Sequence, residues 1–71
     1  MTAQVQRDFL VNYIVDKLTE YLVADNNMEL ADALKTVYQS KVYQLLQDEE
    51  GRLYTQSPSY IYELLRKELM Q

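Results

Sequence analysis

The segment GRLYTQSPSYIYELL, residues 51–65, decides how the fold is read, because it marks where one helix stops and the next begins. It holds the only glycine and the only proline of the chain and three of its seven tyrosines. Ser57 can accept a hydrogen bond from the free N–H groups of a first helical turn, and Pro58 loses no needed donor at the first helical position. The segment therefore predicts a helix over about 58–70.

The rest of the chain predicts three more helices, because apolar residues recur at helical spacing and neither glycine nor proline occurs before residue 51. The expected ranges are about 3–24, 29–39 and 41–47. The expected fold is a single all-α domain over residues 1–71, a compact bundle of three main helices plus one short helix. The second and third helices could instead be one kinked helix. We favour a break, because Ser40 can cap a new helix where the two apolar stripes fall out of phase.

Polar residues mark the expected end of the first helix. The run Asp-Asn-Asn at residues 25–27 can end one helix and start the next, since asparagine tolerates left-handed backbone and also caps helices. Asn26 and Glu29 have the spacing of a capping box. Met28 could equally stand just before the cap.

An acidic run, residues 48–50, follows the third helix, and carboxylates are unfavourable near a helix C-terminus. Either the helix ends by Gln47 or Asp48, or the acidic side chains point into solvent. Gly51 is the expected left-handed residue beyond that end. Leu53 and Tyr54 are then expected to run extended, with Leu53 buried. The acidic run does not fit a calcium-binding loop, which needs a glycine at its sixth residue and a glutamate at its twelfth.

The first helix has a broad apolar face, and Phe9 falls outside it. The residues expected to face water on the opposite side are Asn12, Asp16, Thr19 and Glu20. Phe9 either leans across to a neighbouring helix, which is the interpretation that we favour, or forms part of an oligomer surface with Val5.

Composition argues against several functional classes. The chain has no histidine, cysteine or tryptophan, so the usual general base and the most reactive nucleophile are missing. It shows no phosphate-binding glycine loop, nucleophile elbow or zinc-ligand spacing. We therefore expect no enzyme, no cofactor and no metal. A net charge of −4 disfavours nucleic acid.

The chain shows neither a secretory pattern nor an apolar run long enough to span a membrane, and we expect a cytoplasmic protein. Its tyrosine content is high for its length, and tyrosine is enriched at interfaces. We favour the interpretation that Tyr21, Tyr38 and Tyr54 lie at the edge of a small core; the alternative is a binding surface where the loop meets the last helix. The candidate partner-binding residues are Tyr43, Tyr54, Tyr60, Tyr62 and Phe9.

The strings YQSKVYQLL (38–46) and LYTQSPSYIY (53–62) resemble a family of very small helical bacterial proteins of unknown function. Members of that family are often encoded beside predicted toxins, including ADP-ribosyltransferase-like ones. The resemblance covers roughly residues 9–69 and implies an antitoxin-like or accessory binding role. Members often carry a histidine where Tyr54 stands, so no functional residue is transferred.

Together these features predict a non-enzymatic protein-interaction module that binds a neighbouring gene product, itself as a homodimer, or both. The alternative is a small helical nucleic-acid-binding regulator. In that case helices two and three would form a helix-turn-helix motif, but its second helix would carry the acidic run of residues 48–50 towards the phosphates.

Overall fold

The computed structural model describes residues 3–71, with side chains from residue 5 onward. All regular structure in this range is helical, which confirms the predicted all-α bundle. The elements are α1 (Ala3–Asn26), α2 (Leu30–Tyr38), α3 (Lys41–Gln47), a 3-10 turn (Leu53–Thr55) and α4 (Pro58–Leu69). The predicted break between α2 and α3 is present, and each predicted helix end lies within two residues of the observed one.

Helix α1 is the element on which the others pack. Its 24 residues, at about 1.5 Å each, account for the 37 Å length of the molecule. It contacts α2, α3, α4 and the 3-10 turn. The buried core draws on all four α-helices: Val11, Ile14, Val15, Leu18, Leu22, Ala33, Val37, Val42, Leu46, Ile61, Tyr62 and Leu65.

Thr19 was expected to face water, and this prediction is wrong. Its side chain is buried. Thr19 lies only about 40° from Val15 on a helical wheel, so it falls at the edge of a core face that is wider than the stripe suggested. Its hydroxyl donates to the Val15 carbonyl oxygen at 2.7 Å, which satisfies the polar group without a partner from another helix.

The connection between α1 and α2 differs from the predicted capping box. Asn26 is the last residue of α1, and Asn27 takes the left-handed backbone with φ 55°. Glu29 is itself the residue before α2 and makes no capping hydrogen bond with its side chain. Helix α1 continues two residues further than expected, which moves Asn26 out of the capping position. Met28 packs against the core at this turn.

Ser40 forms the predicted cap of α3. Its hydroxyl oxygen accepts from the Tyr43 N–H at 3.1 Å and donates to the Val37 carbonyl oxygen at 2.6 Å. The side chain is buried, so both bonds form away from bulk water. One hydroxyl thus closes α2 and opens α3, which fixes the break between them.

A carboxylate from α4 completes the start of α3. Glu68 accepts the Lys41 N–H at 2.9 Å through Oε2 and the Val42 N–H at 3.1 Å through Oε1. The first N–H groups of a helix have no partner within the helix itself. Since the Tyr43 N–H is already bonded to Ser40, Glu68 satisfies the two N–H groups before it and ties α3 to α4.

The backbone after α3 corrects the prediction for Gly51. Helix α3 ends before the acidic run, as expected, but the left-handed residue is Arg52, with φ 54°. Asp48 accepts the Glu50 N–H at 3.0 Å, which tightens the turn across residues 48–50. The chain therefore reverses one residue later, and the Arg52 carbonyl oxygen accepts the N–H of Thr55 at 3.0 Å.

Leu53 and Tyr54 were expected to run extended, but they form the 3-10 turn instead. Leu53 is half-buried and packs against the core, which anchors this turn to α1. The start of α4 is as predicted. Ser57 accepts the Tyr60 N–H at 3.2 Å, and Pro58 occupies the first helical position.

Candidate functional site

The predicted tyrosine surface is not one cluster of rings. Among the described residues, the recorded ring pairs join Tyr38 to Tyr43 and Tyr21 to Tyr62, and neither pair joins two of the four predicted tyrosines. Tyr43 is half-buried on α3 and meets Tyr38 edge-on, with ring centroids 5.0 Å apart. The four predicted tyrosines therefore lie in different surroundings.

Tyr62 belongs to the core. Only 6% of it is exposed, and its ring lies 4.9 Å from that of Tyr21, centroid to centroid. Its hydroxyl donates to the Asp25 carboxylate at 3.0 Å. Tyr62 thus joins α4 to the end of α1, and its ring is not available to a partner.

Burial raises the pKa of the Tyr62 hydroxyl above its usual value, and the hydrogen bond to Asp25 raises it further. The folded state thus favours the neutral phenol. The stabilisation is present in full below the unfolded-state pKa of about 10 and is lost as the pH rises through the higher folded-state pKa.

We expect Tyr62→Phe to lower the free energy of unfolding by about 0.5–1.5 kcal/mol at neutral pH, through loss of the hydrogen bond to Asp25. The difference between wild type and variant should shrink above about pH 10, because only the wild type has this phenol to ionise. Urea unfolding followed by circular dichroism at several pH values measures both effects.

Tyr60→Phe is the matched control, since Tyr60 is 52% exposed and lies two residues away on α4. Its stability should follow the wild type at every pH. A constant difference between Tyr62→Phe and wild type through the alkaline range would contradict the role of the buried phenol.

Tyr60 is the most exposed of the four predicted tyrosines, and Tyr54 is half-buried like Tyr43. Tyr60 is exposed in the first turn of α4, beside Ser57. Tyr54 is half-buried in the 3-10 turn, where it lines a surface cavity with Arg7, Glu49 and Arg52. We refer to this feature, of about 210 Å³, as the Arg7 cavity.

Phe9 is the most exposed aromatic residue of the described chain, at 72%. It does not lean onto a neighbouring helix, so the interpretation favoured from sequence is wrong. Val5 and Tyr13, four residues before and after it, are also exposed. A spacing of four residues places the three on one side of α1. On the helical wheel, Phe9 lies about 180° from the core residue Leu18. We call these three residues the outer stripe.

Charged residues extend this side of α1 towards its C-terminal half. Asp16 and Glu20 lie within about 20° of Phe9 on the helical wheel. Lys17 pairs with Glu20 at 3.3 Å, and its Nζ lies 5.8 Å from the centre of the Tyr13 ring. The hydrogen bond from Lys17 to Glu20 raises the pKa of the ammonium group. The outer side of α1 is thus apolar in its first half and mostly acidic beyond Tyr13.

Three residues of these surfaces were not singled out from the sequence: Tyr13, Arg7 and Arg52. Tyr13 had a usable signal, since it repeats the four-residue spacing of Val5 and Phe9. Arg7 had no usable signal in the sequence, because its partner Glu49 lies 42 residues later in an irregular loop. Within the described residues, no group of three or more acidic side chains is arranged to hold a metal ion.

Comparisons with protein-family models, with curated proteins and with solved structures find no match. None of the helices in the described range has the length and apolar character needed to cross a bilayer.

Proposed function

We propose that the protein is a non-enzymatic interaction module of the cytoplasm, and that it binds a protein partner through the outer stripe of α1. The supporting observation is Phe9, the only phenylalanine of the chain, which is exposed although the opposite side of its helix forms the core. Exposed aromatic residues flanked by polar ones are typical of the centres of protein interfaces. Tyr13 extends the same surface by one helical turn.

The charges beside the stripe define the complementary partner. Asp16 makes no ion pair within the described part of the chain, and the protein carries a net charge of −4. An apolar hollow with basic side chains on one side would therefore match both halves of the outer side of α1. Such a partner also associates faster, because opposite charges attract at long range.

The area of the stripe favours reversible binding. At 72% and 47% exposure, the rings of Phe9 and Tyr13 present roughly 250 Å² together. A stable interface buries about 800 Å² per partner. The two rings can therefore form the centre of an interface whose rim is polar, but not an obligate interface alone. We likewise propose that any homodimer through this surface forms reversibly.

An antitoxin-like or accessory role is the specific form of this function that we propose. It rests on the resemblance carried by residues 38–46 and 53–62, together with the acidic charge that suits a basic partner. The product of a neighbouring toxin gene is the first partner to test.

We expect Phe9→Ser to weaken partner binding by about tenfold or more, because loss of a central aromatic residue typically removes over 1 kcal/mol of binding energy. The change is exposed, so the fold should remain intact. Co-purification with the neighbouring gene product, followed by titration calorimetry, measures the partner interaction. Light scattering over a range of concentrations measures the homodimer.

Leu30→Ser is the matched control, since Leu30 is 64% exposed but lies on α2. It should leave both interactions unchanged. Equal losses in the two variants would argue against a specific α1 surface. A monomer at every concentration would remove the homodimer, and failure of the neighbouring gene product to co-purify would count against the antitoxin-like role.

A further inference from the structure

The Arg7 cavity is a second surface feature, separate from the outer stripe of α1. It lies where α1 meets the loop between α3 and α4, and its lining carries two arginines, one glutamate and one tyrosine. Its volume of about 210 Å³ is several times the roughly 30 Å³ that a water molecule occupies in the liquid. The cavity can therefore take a group larger than a single water.

Arg7 is held in place at the cavity with spare donor capacity. Its side chain is only 14% exposed, although arginine is seldom buried. Its guanidinium pairs with Glu49 and lies 3.6 Å from Asp8, yet its Nε–H is buried and has no acceptor within the described residues. A buried donor without an acceptor is unfavourable, and such groups are rare in folded proteins.

Arg52 and Tyr54 add further donors to the same cavity. Arg52 makes no ion pair with another described residue, and the Tyr54 hydroxyl makes no hydrogen bond within the same range. The left-handed backbone of Arg52 is uncommon for a residue with a side chain and is found preferentially at functional positions. Two guanidinium groups and a phenol therefore border one cavity, and Glu49 is the only acidic residue among its described lining residues.

We propose that the Arg7 cavity binds a single oxyanion, a phosphate or a carboxylate, between Arg7 and Arg52. Guanidinium groups bind both anions through paired hydrogen bonds, and the Tyr54 hydroxyl supplies one more donor. In the free protein Glu49 forms an ion pair with Arg7, and the ligand displaces the Glu49 carboxylate from this arginine. The Glu49 side chain is 67% exposed, so it can turn into solvent without disturbing the core.

This site is independent of the outer stripe of α1, and variants separate the two. We expect Arg52→Gln to weaken oxyanion binding by about tenfold or more, through loss of a paired contact. Glu49→Gln should strengthen it, because the competing charge is removed. Neither change should alter binding at Phe9.

Titration with inorganic phosphate, and separately with acetate, at constant ionic strength tests the proposal by nuclear magnetic resonance. We expect saturable shifts at the Arg7 Nε–H and at the backbone amides of Arg52 and Tyr54. Saturation by phosphate alone would assign the site to phosphate groups, and saturation by both would extend it to carboxylates. Either result supports the proposal.

Arg66→Gln is the matched control, because Arg66 pairs with Glu63 on α4 and does not line the cavity. It should bind like the wild type. Equal shifts around Arg66 and Arg52, or no saturation with either anion, would overturn the site. So would unchanged or weaker binding in a folded Glu49→Gln variant, with folding checked by circular dichroism.

Discussion

Leu18→Ala is expected to lower the free energy of unfolding by about 2–5 kcal/mol. Leu18 is fully buried in the middle of α1, the helix that contacts every other element. Truncation removes apolar contacts and leaves a cavity that the neighbouring helices fill only in part. A domain of this length has a total stability of roughly 4–11 kcal/mol, so a large share of it depends on this one side chain. Urea unfolding followed by circular dichroism measures the loss.

Leu30→Ala provides the comparison, because it deletes the same atoms from a largely exposed position on α2. It should change the stability by no more than about 0.5 kcal/mol. Similar losses in the two variants would mean that α1 is not the centre of the core. A changed dependence on urea in Leu18→Ala would show either that the folded or unfolded state has changed its compactness or that the variant no longer unfolds in one step.

Helix ends that depend on neighbouring residues could be predicted from the sequence. Ser57 and Pro58 act on the turn that follows them, and Ser40 acts on the first turn of α3. A short stretch of sequence therefore contains both partners of each capping interaction. The core face of α1 was also predictable, because its apolar residues repeat at the helical period. Thr19 was missed because a residue at the edge of that face can be buried by whichever helix packs there.

Features that depend on distant residues were not predictable. Nothing near Lys41 indicates that Glu68, 27 residues later, accepts its N–H. Likewise, the left-handed residue is Arg52 rather than Gly51, so glycine content alone pointed to the wrong position. Propensity gives only a weak preference within a turn, and this turn also contains the hydrogen bond from the Glu50 N–H to Asp48.

For the candidate surfaces too, features set by local sequence could be predicted and those set by distant residues could not. The sequence identified Phe9 as lying off the main stripe, and the fold leaves it exposed. It did not separate Tyr62, which is buried against Tyr21, from Tyr60, which is exposed two residues earlier. On a helix these two side chains point about 160° apart, so only the position of α1 decides which one enters the core.

Glu68→Ala is expected to lower the free energy of unfolding by about 1–3 kcal/mol, a large effect for a residue at the edge of the structure. The change leaves the N–H groups of Lys41 and Val42 without their carboxylate partner, at the positively polarised end of α3. Val42 is a core residue, so its N–H is less accessible to replacement water. Thermal and urea unfolding measure the loss, and hydrogen exchange of these two amides should accelerate.

The matched control is Glu63→Ala, which removes a carboxylate from the same helix but breaks only an exposed ion pair with Arg66. Such pairs contribute about 0–1 kcal/mol, so the two variants separate a tertiary cap from a general loss of charge.

Ser40→Ala completes a double-mutant cycle, because Ser40 and Glu68 stabilise successive N–H groups of one seven-residue helix. If α3 forms as a unit, the combined loss should differ from the sum of the single losses by about 0.5 kcal/mol or more. Strict additivity, with unchanged exchange at Val42, would show that α3 is held by Leu46 and its neighbours in the core rather than by its caps.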